Sequence, residues 1–273
     1  MAKNFPDLEG KFIIGALHFT PLSGYPGFQG REKTLDIAME DLQAFEKGGI
    51  DGIIIENNYD VPHKIKVKKE TVEDMLFLGG EIRKRTKLPI GVSVLWNDYE
   101  SAFLIAKQIG ADFIRVPVFV DSVLTDFGEI HANPRGVIDY RNEIGAQKVK
   151  IMADVQVKHA TMLRPRPIEE SVKDAIAHGA DAIIVTGTKT GEPPQMAKVE
   201  SAKGASGVPI LIGSGFEAGN AKELLKYADG AIVSTSLKLG SISKMERNAK
   251  DYTLRIDSDK VNNLMEEVRK FSR

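Results

Sequence analysis

Residues 177–187 read AHGADAIIVTG, and the same pattern recurs as EKGGIDGIIIEN at 46–57, KQIGADFIRVP at 107–117 and KYADGAIVSTS at 226–236. Each stretch is a helix end, a turn of glycine or alanine before aspartate, then a short apolar run rich in β-branched residues. Such a run, bounded by turn residues, reads as a buried strand. A second set alternates with the first: KFIIGALH at 11–18, LPIGVSVL at 88–95, VKIMADV at 149–155 and VPILIGSG at 208–215. Together they predict eight strands, at about 12–18, 52–57, 90–95, 112–117, 149–155, 182–186, 209–213 and 230–234.

The segments between have a helical period. Leu35, Ala38, Met39 and Leu42 recur at helix spacing, as do Val72, Met75 and Leu76, and Val172, Ala175 and Ile176. Thr71, and Asn133 before Pro134, read as helix starts, and Val261, Leu264, Met265 and Val268 as a closing amphipathic helix. Eight alternating units in 273 residues predict an α/β fold, a single (β/α)8 TIM barrel spanning 1–273, with an open doubly wound sheet as the rival. The longest irregular stretch, 119–133, follows strand four and reads as a lid.

The barrel gives the polar residues a place, because such folds put their chemistry at the C-terminal ends of the strands. In IMADVQVKHA, at 151–160, Ile151, Ala153 and Val155 should face the helices, so that Asp154, Gln156 and Lys158 climb the interior toward the mouth. His18 ends strand one, Glu56 and Asn57 strand two, and Asn97 follows strand three. Arg115 lies near the end of strand four; His159 follows Lys158, and Thr186 and Lys189 follow strand six. Glu56 or Asp154 is the expected general base and Lys158 the acid, electrostatic stabiliser or Schiff-base amine, with His18 and His159 as further proton carriers. Gly213, Ser214 and Gly215 end strand seven, and Ser234, Thr235 and Ser236 end strand eight. Glycines admit an anion close to the backbone, while hydroxyls and helix-start N–H groups hold its oxygens, so these two loops are the expected phosphate grip.

Bulk composition narrows the classes. Formal net charge is −1 with both signs interspersed, so nucleic acid is not an expected partner. The chain has no cysteine, and MAKNFPDLEG lacks a signal-peptide core, so a cytoplasmic location without membrane insertion is expected. GSGFEA fits a dinucleotide fingerprint, but Ser234 and Thr235 stand where its acid should be. There is no H-E-x-x-H and no G-x-S-x-G, and histidines 18, 63, 131, 159 and 178 show no ligand spacing. No cofactor or metal is required, although a magnesium ion held by Glu56 or Asp154 and a substrate phosphate is compatible with the sequence.

The run of motifs resembles the BtpA/SgcQ family. HFTPLSGYPG, IENNYDVP, GVSVLWND, GADFIRVPVF, TDFGEIHANP, ADVQVKHA, TGTKTGEPP and GSGFEAGNAKELLKYADGAIVSTSLK follow one another in the family's order over nearly the whole chain. The resemblance implies a ribulose-phosphate-binding type of TIM barrel. Its cyanobacterial namesake is linked to photosystem I accumulation, and its other namesake lies among sugar-uptake genes. Ser93 stands where the family often has asparagine, and Tyr59 and His63 replace more usual residues in loop two. The expectation is an enzyme, of the lyase, isomerase or hydrolase type, acting on a small phosphorylated ligand such as a sugar phosphate or nucleotide-like compound. The alternatives are a non-catalytic assembly factor for a membrane complex and a phosphate-ligand sensor. A homo-oligomer is expected, since barrels expose helix faces that pair.

Overall fold

The computed structural model describes residues 10–240 and 251–271. The expected absence of a signal peptide therefore falls largely on residues 1–9, outside the described residues. In chain order the elements are β1 (Phe12–His18), α1 (Arg31–Gly48), β2 (Gly52–Glu56), α2 (Lys69–Arg85), β3 (Ile90–Ser93), α3 (Tyr99–Ile109), β4 (Phe113–Val116), β5 (Val123–Thr125), β6 (Gly128–Ile130) and α4 (Pro134–Glu143). They continue with β7 (Lys150–Val155), β8 (Ala160–Met162), α5 (Ile168–Ala177), β9 (Ala182–Val185), α6 (Met196–Ala205), β10 (Ile210–Ile212), α7 (Ala218–Leu224), β11 (Gly230–Val233), a 3-10 turn (Thr235–Leu237) and α8 (Ser258–Phe271).

Eight strands close into a parallel barrel in the cyclic order β1-β2-β3-β4-β7-β9-β10-β11. The repeated aspartate shows why the pattern was so regular. Asp51, Asp112, Asp181 and Asp229 each accept the backbone N–H that opens the preceding strand, from Ile13, Ile90, Ile151 and Ile210 at 2.8–2.9 Å. Each also donates its own N–H to that residue's carbonyl. One side chain thus stitches each of the pairs β1/β2, β3/β4, β7/β9 and β10/β11 at the barrel's N-terminal end, satisfying strand-end groups that would otherwise be unpaired.

The apolar residues divide as the two-residue period requires. Ile151, Ala153 and Val155 join the large layer between strands and helices, while Met152 joins Phe12, Ile14, Ile54, Phe113 and Ile184 inside the barrel. Helix α4 starts at its expected cap, with Asn133 Oδ1 accepting from Gly136 N–H at 3.0 Å. Helix α2 begins at Lys69, two residues before Thr71, which lies buried in its first turn. The stretch 119–133 is not irregular: β5 and β6 form a hairpin, and β8 from the loop after β7 pairs with β5, giving a three-stranded antiparallel sheet. Trp96, Val118, Val123, Ile130 and Val157 form a separate apolar cluster, against which Phe127 packs.

Candidate active site at the barrel mouth

A cavity of about 600 Å³ opens at the C-terminal ends of the strands. Its floor is built from adjacent strands. His18 and Glu56 are register partners on β1 and β2, and His18 Nε2 lies 3.3 Å from Glu56 Oε2. Arg115, on β4, reaches Glu56 Oε1 with Nη1 at 3.4 Å. Its Nε and Nη2 make a bidentate pair with both Asp154 oxygens at 2.8 Å. Glu56, Arg115 and Asp154 are buried, Asp154 to 1% exposure, and His18 stands at the edge of the cavity, partly buried. A buried carboxylate needs such a partner, since desolvating it unpaired costs several kcal/mol.

The chain does not reach Lys158 by simple alternation. Strand β7 stops at Val155, and Gln156 and His159 have φ of 50° and 58°, in the left-handed region. Gln156 turns away from the interior: its N–H donates to Asp121 Oδ2 at 3.0 Å and its side-chain amide to Arg166 O at 2.9 Å. Lys158 N–H donates to Thr186 Oγ1 at 3.0 Å, and the side chain then enters the cavity, where Nζ donates to Gly213 O at 3.1 Å. No carboxylate lies within ion-pair reach of Nζ among the described residues.

These surroundings set the charge states. Burial pushes Glu56 up, but the hydrogen bond from His18 and the Arg115 charge outweigh it and hold the carboxyl down to about 2. Burial lowers His18 below its ordinary value despite Glu56, so the ring is neutral near pH 7. A neutral ring that donates through Nε2 leaves a bare lone pair on Nδ1, and Nδ1 is buried with no partner. Burial and the Arg115 charge lower Lys158 to about 8. Burial opposes the Arg115 charge, but Asp154 and Glu56 prevail and its pKa rises.

Several expected site residues stand elsewhere. Asp154 does not line the cavity, because both its oxygens face Arg115. Asn57 grips the Leu95 backbone, accepting its N–H at 2.7 Å. Asn97 pairs with the Val118 peptide at 2.8 and 3.0 Å. Thr186 supports loop five, and Lys189 is exposed on loop six; none of these four lines the cavity. His159 does line it, with Nε2 accepting from Thr190 N–H at 3.1 Å.

Gly213, Ser214, Gly215, Ser234, Thr235 and Ser236 all line the cavity. Two of the hydroxyls are already engaged. Ser214 Oγ donates to Glu192 O and accepts from Gly187 N–H, both at 2.8 Å, and Ser236 Oγ donates to Phe216 O at 2.9 Å. Gly215, at φ 64°, is glycine because a Cβ would meet the Pro193 backbone at 2.2 Å, not because a ligand must approach there. Helix α7 starts at Ala218, and its cap Glu217 and Asn220 pair reciprocally, which takes two of that helix end's N–H groups away from any anion. What remains is Ser234 Oγ, buried without a partner, and Thr235 at the head of the 3-10 turn.

The lining also holds Asn58, which the sequence places after strand two, Trp96, which reads as packing or mouth lining, and His63 of loop two, together with Asp126 and Phe127, which sequence reasoning assigned no role. Burial lowers His63 to about 4, so it too is neutral. For Asp126 and Phe127 only VLTDFGEI carried a signal, a strand–turn–strand pattern with glycine at the turn.

The fold and its mouth define a closed (β/α)8 barrel with a buried Arg115–carboxylate floor and hydroxyl-bearing loops after the last two strands. The chain belongs to the BtpA family, whose sequence model matches residues 9–270. It is 38% identical over 230 residues to the photosystem I biogenesis protein BtpA of Synechocystis sp., covering 83% of this chain and 80% of that one. It is 29% identical over 265 residues to the sgc region protein SgcQ of Escherichia coli, covering 94% of each. Among solved structures, thiamine phosphate pyrophosphorylase from Pyrococcus furiosus superposes with a TM-score of 0.59 at 15% identity over 96% of both chains, a likeness of fold.

Proposed function

We propose that this chain is a cytoplasmic enzyme that transfers protons on a small phosphorylated metabolite, a sugar phosphate or nucleotide-like compound, at the barrel mouth. One observation carries this reading: an amine paired to no carboxylate, Lys158, and a neutral histidine with a bare buried nitrogen, His18, face one cavity across a fixed Arg115–Glu56–Asp154 array. A satisfied structural core would leave neither group in that state. His18 is the proton acceptor, and Glu56 orients its ring and stabilises the imidazolium that forms. Lys158, poised at about 8, donates a proton or stabilises developing negative charge. Asp154 is a positioning residue that acts through Arg115. The phosphate rests against Ser234, Thr235 and the loop after β10.

The donor set does not fit the magnesium ion that the sequence left compatible with Glu56 or Asp154. Both Asp154 oxygens are committed to Arg115, and Glu56 is held between Arg115 and His18. The name of the Synechocystis relative favours the second reading, an assembly factor, and a phosphate sensor would keep the grip without turnover. No helix among the described residues is long and apolar enough to cross a membrane. Pairing of copies through exposed helix faces belongs to the proposal and is tested by light scattering.

The deciding experiment incubates phosphorylated sugars with the protein in D2O and follows proton exchange and turnover by NMR. Turnover that falls at least a hundredfold in both Lys158→Met and Glu56→Gln supports the enzyme reading. Absence of exchange and turnover, with cellular function retained in Lys158→Met and Asp154→Asn, favours the assembly factor.

A further inference from the structure

The cavity is two-sided, and the topology says which side faces which. In the cyclic strand order β3 and β4 stand third and fourth, while β10 and β11 stand seventh and eighth. Third faces seventh and fourth faces eighth across an eight-stranded barrel. The loops after β10 and β11 bring Gly215, Ser234, Thr235 and Ser236 to the mouth. The opposite wall, from the loops after β3 and β4 with the loop after β2 folded against them and Val157 of the loop after β7, carries Val61, Leu95, Trp96, Pro117, Phe127 and Val157 beside the polar Asn58, His63 and Asp126. Strands about 4.8 Å apart and tilted some 36° put opposite backbones of such a barrel roughly 15 Å apart. A free phosphate or a triose phosphate touches one wall only.

That wall is also incompletely satisfied. His63 and Phe127 meet edge to face with centroids 5.4 Å apart. His63 Nδ1 and Asn58 Nδ2 are buried without partners on that same side, and both residues line the cavity. A wall built for a hydrocarbon would not strand two polar atoms, whereas a planar ring with hydrogen-bonding edges stacks on the aromatics and pairs with both. The hairpin of β5 and β6, which carries Phe127 at its tip, covers this side of the mouth.

From this opposition of walls we infer that the ligand carries a planar heteroaromatic ring as well as a phosphate, as a nucleoside 5′-monophosphate does. The ring lies between Trp96, Phe127 and His63, and its edge meets Asn58 Nδ2 and His63 Nδ1. The phosphate lies across the mouth at Ser234 and Thr235. The inference rests on the phosphate assignment made above and adds the other half of the ligand.

The test is calorimetric titration of the full chain with inorganic phosphate, ribose 5-phosphate, adenosine 5′-monophosphate and uridine 5′-monophosphate. At least one nucleotide should bind about tenfold or more tightly than ribose 5-phosphate, the increment that stacking one base on aromatic side chains supplies. Phe127→Ala, at a partly exposed hairpin tip, and His63→Ala should each bring nucleotide affinity down toward that of ribose 5-phosphate. Nucleotides that bind no tighter than ribose 5-phosphate, while phosphate itself binds, overturn the ring and leave the phosphate assignment standing. Nucleotide binding that survives both substitutions unchanged also overturns it. Failure of all four probes to bind overturns the ring and the phosphate assignment together.

Discussion

Arg115 holds two buried carboxylates apart, so its removal has a definite consequence. Arg115→Met leaves Glu56 and Asp154 desolvated and facing each other's charge; it should destabilise the fold by about 3–5 kcal/mol, read as a fall in the urea midpoint at unchanged slope. At two neighbours stability rises with pH, in two separate windows. The folded pKa of Glu56, about 2, lies below its ordinary 4.5, so its stabilisation is complete above pH 4.5 and is lost as pH falls toward 2. Glu56→Gln should flatten that acid limb. Lys158 is lowered from 10.5 to about 8, so folding disfavours its charge below pH 8, and stability recovers as pH rises from 8 to 10.5. Lys158→Met should therefore not lower the melting temperature at pH 7. The sequence showed Lys158 entering the mouth, but for a reason that failed at Gln156, where the backbone turns left-handed. Asp154 looked like a base because its partner, on a neighbouring strand thirty-nine residues earlier, becomes visible only once strand register is known.

Between elements, loops six, seven and eight are tied by Ser214 and Ser236, and Gly215 lies where no side chain fits. Gly215→Val therefore disturbs the Glu192–Pro193 backbone as well as any ligand. Even Gly215→Ala should cost about 1–3 kcal/mol, and its ligand affinity should fall with raised hydrogen exchange in loops six and seven together. The sheet of β5, β6 and β8 behaves differently. Its strands are three residues long and pack on a small separate cluster, so its amides should exchange well before those of β2 or β7, in a timed exchange experiment read by mass spectrometry. The eight barrel strands were legible because the aspartate stitch repeats before β2, β4, β9 and β11 and the runs after it are wholly buried. The hairpin was not, because Leu124, Glu129 and Thr161 alternate outward to solvent and leave only a few apolar residues per strand. The expected stops matched at His18 and Val155 and overran the observed ones at the other barrel strands, by two residues at Ser93 and by one elsewhere, since strand ends are set by partner hydrogen bonds and not by the apolar run.

At the scale of the whole molecule, the C-terminal segment is bound to the N-terminal half. Helix α8 packs on α1 and α7, and Gly48 is glycine there because a Cβ would lie 2.3 Å from Val261 Cβ. Just before α8, Asp41 on α1 accepts from Ile256 N–H at 2.9 Å and from Arg255 Nη1 at 3.0 Å. The barrel closes beside this seam, with β1 pairing β11 over Phe12–Gly15 and Gly230–Val233. A ring of strands has no edge at which one half could leave without breaking two ladders, and here the outer layer crosses the closure as well. The chain should therefore unfold as one unit, with coincident transitions by near- and far-ultraviolet circular dichroism. Leu264 is 1% exposed on the inner face of α8, so Leu264→Ala removes buried volume at the seam and should destabilise by about 2–5 kcal/mol. If closure couples the halves, the entire transition moves down by several degrees and stays single. If α8 were an appended helix over an independently stable barrel, Leu264→Ala would instead split off a small early transition that leaves the main midpoint in place, and that outcome would refute the single-unit reading.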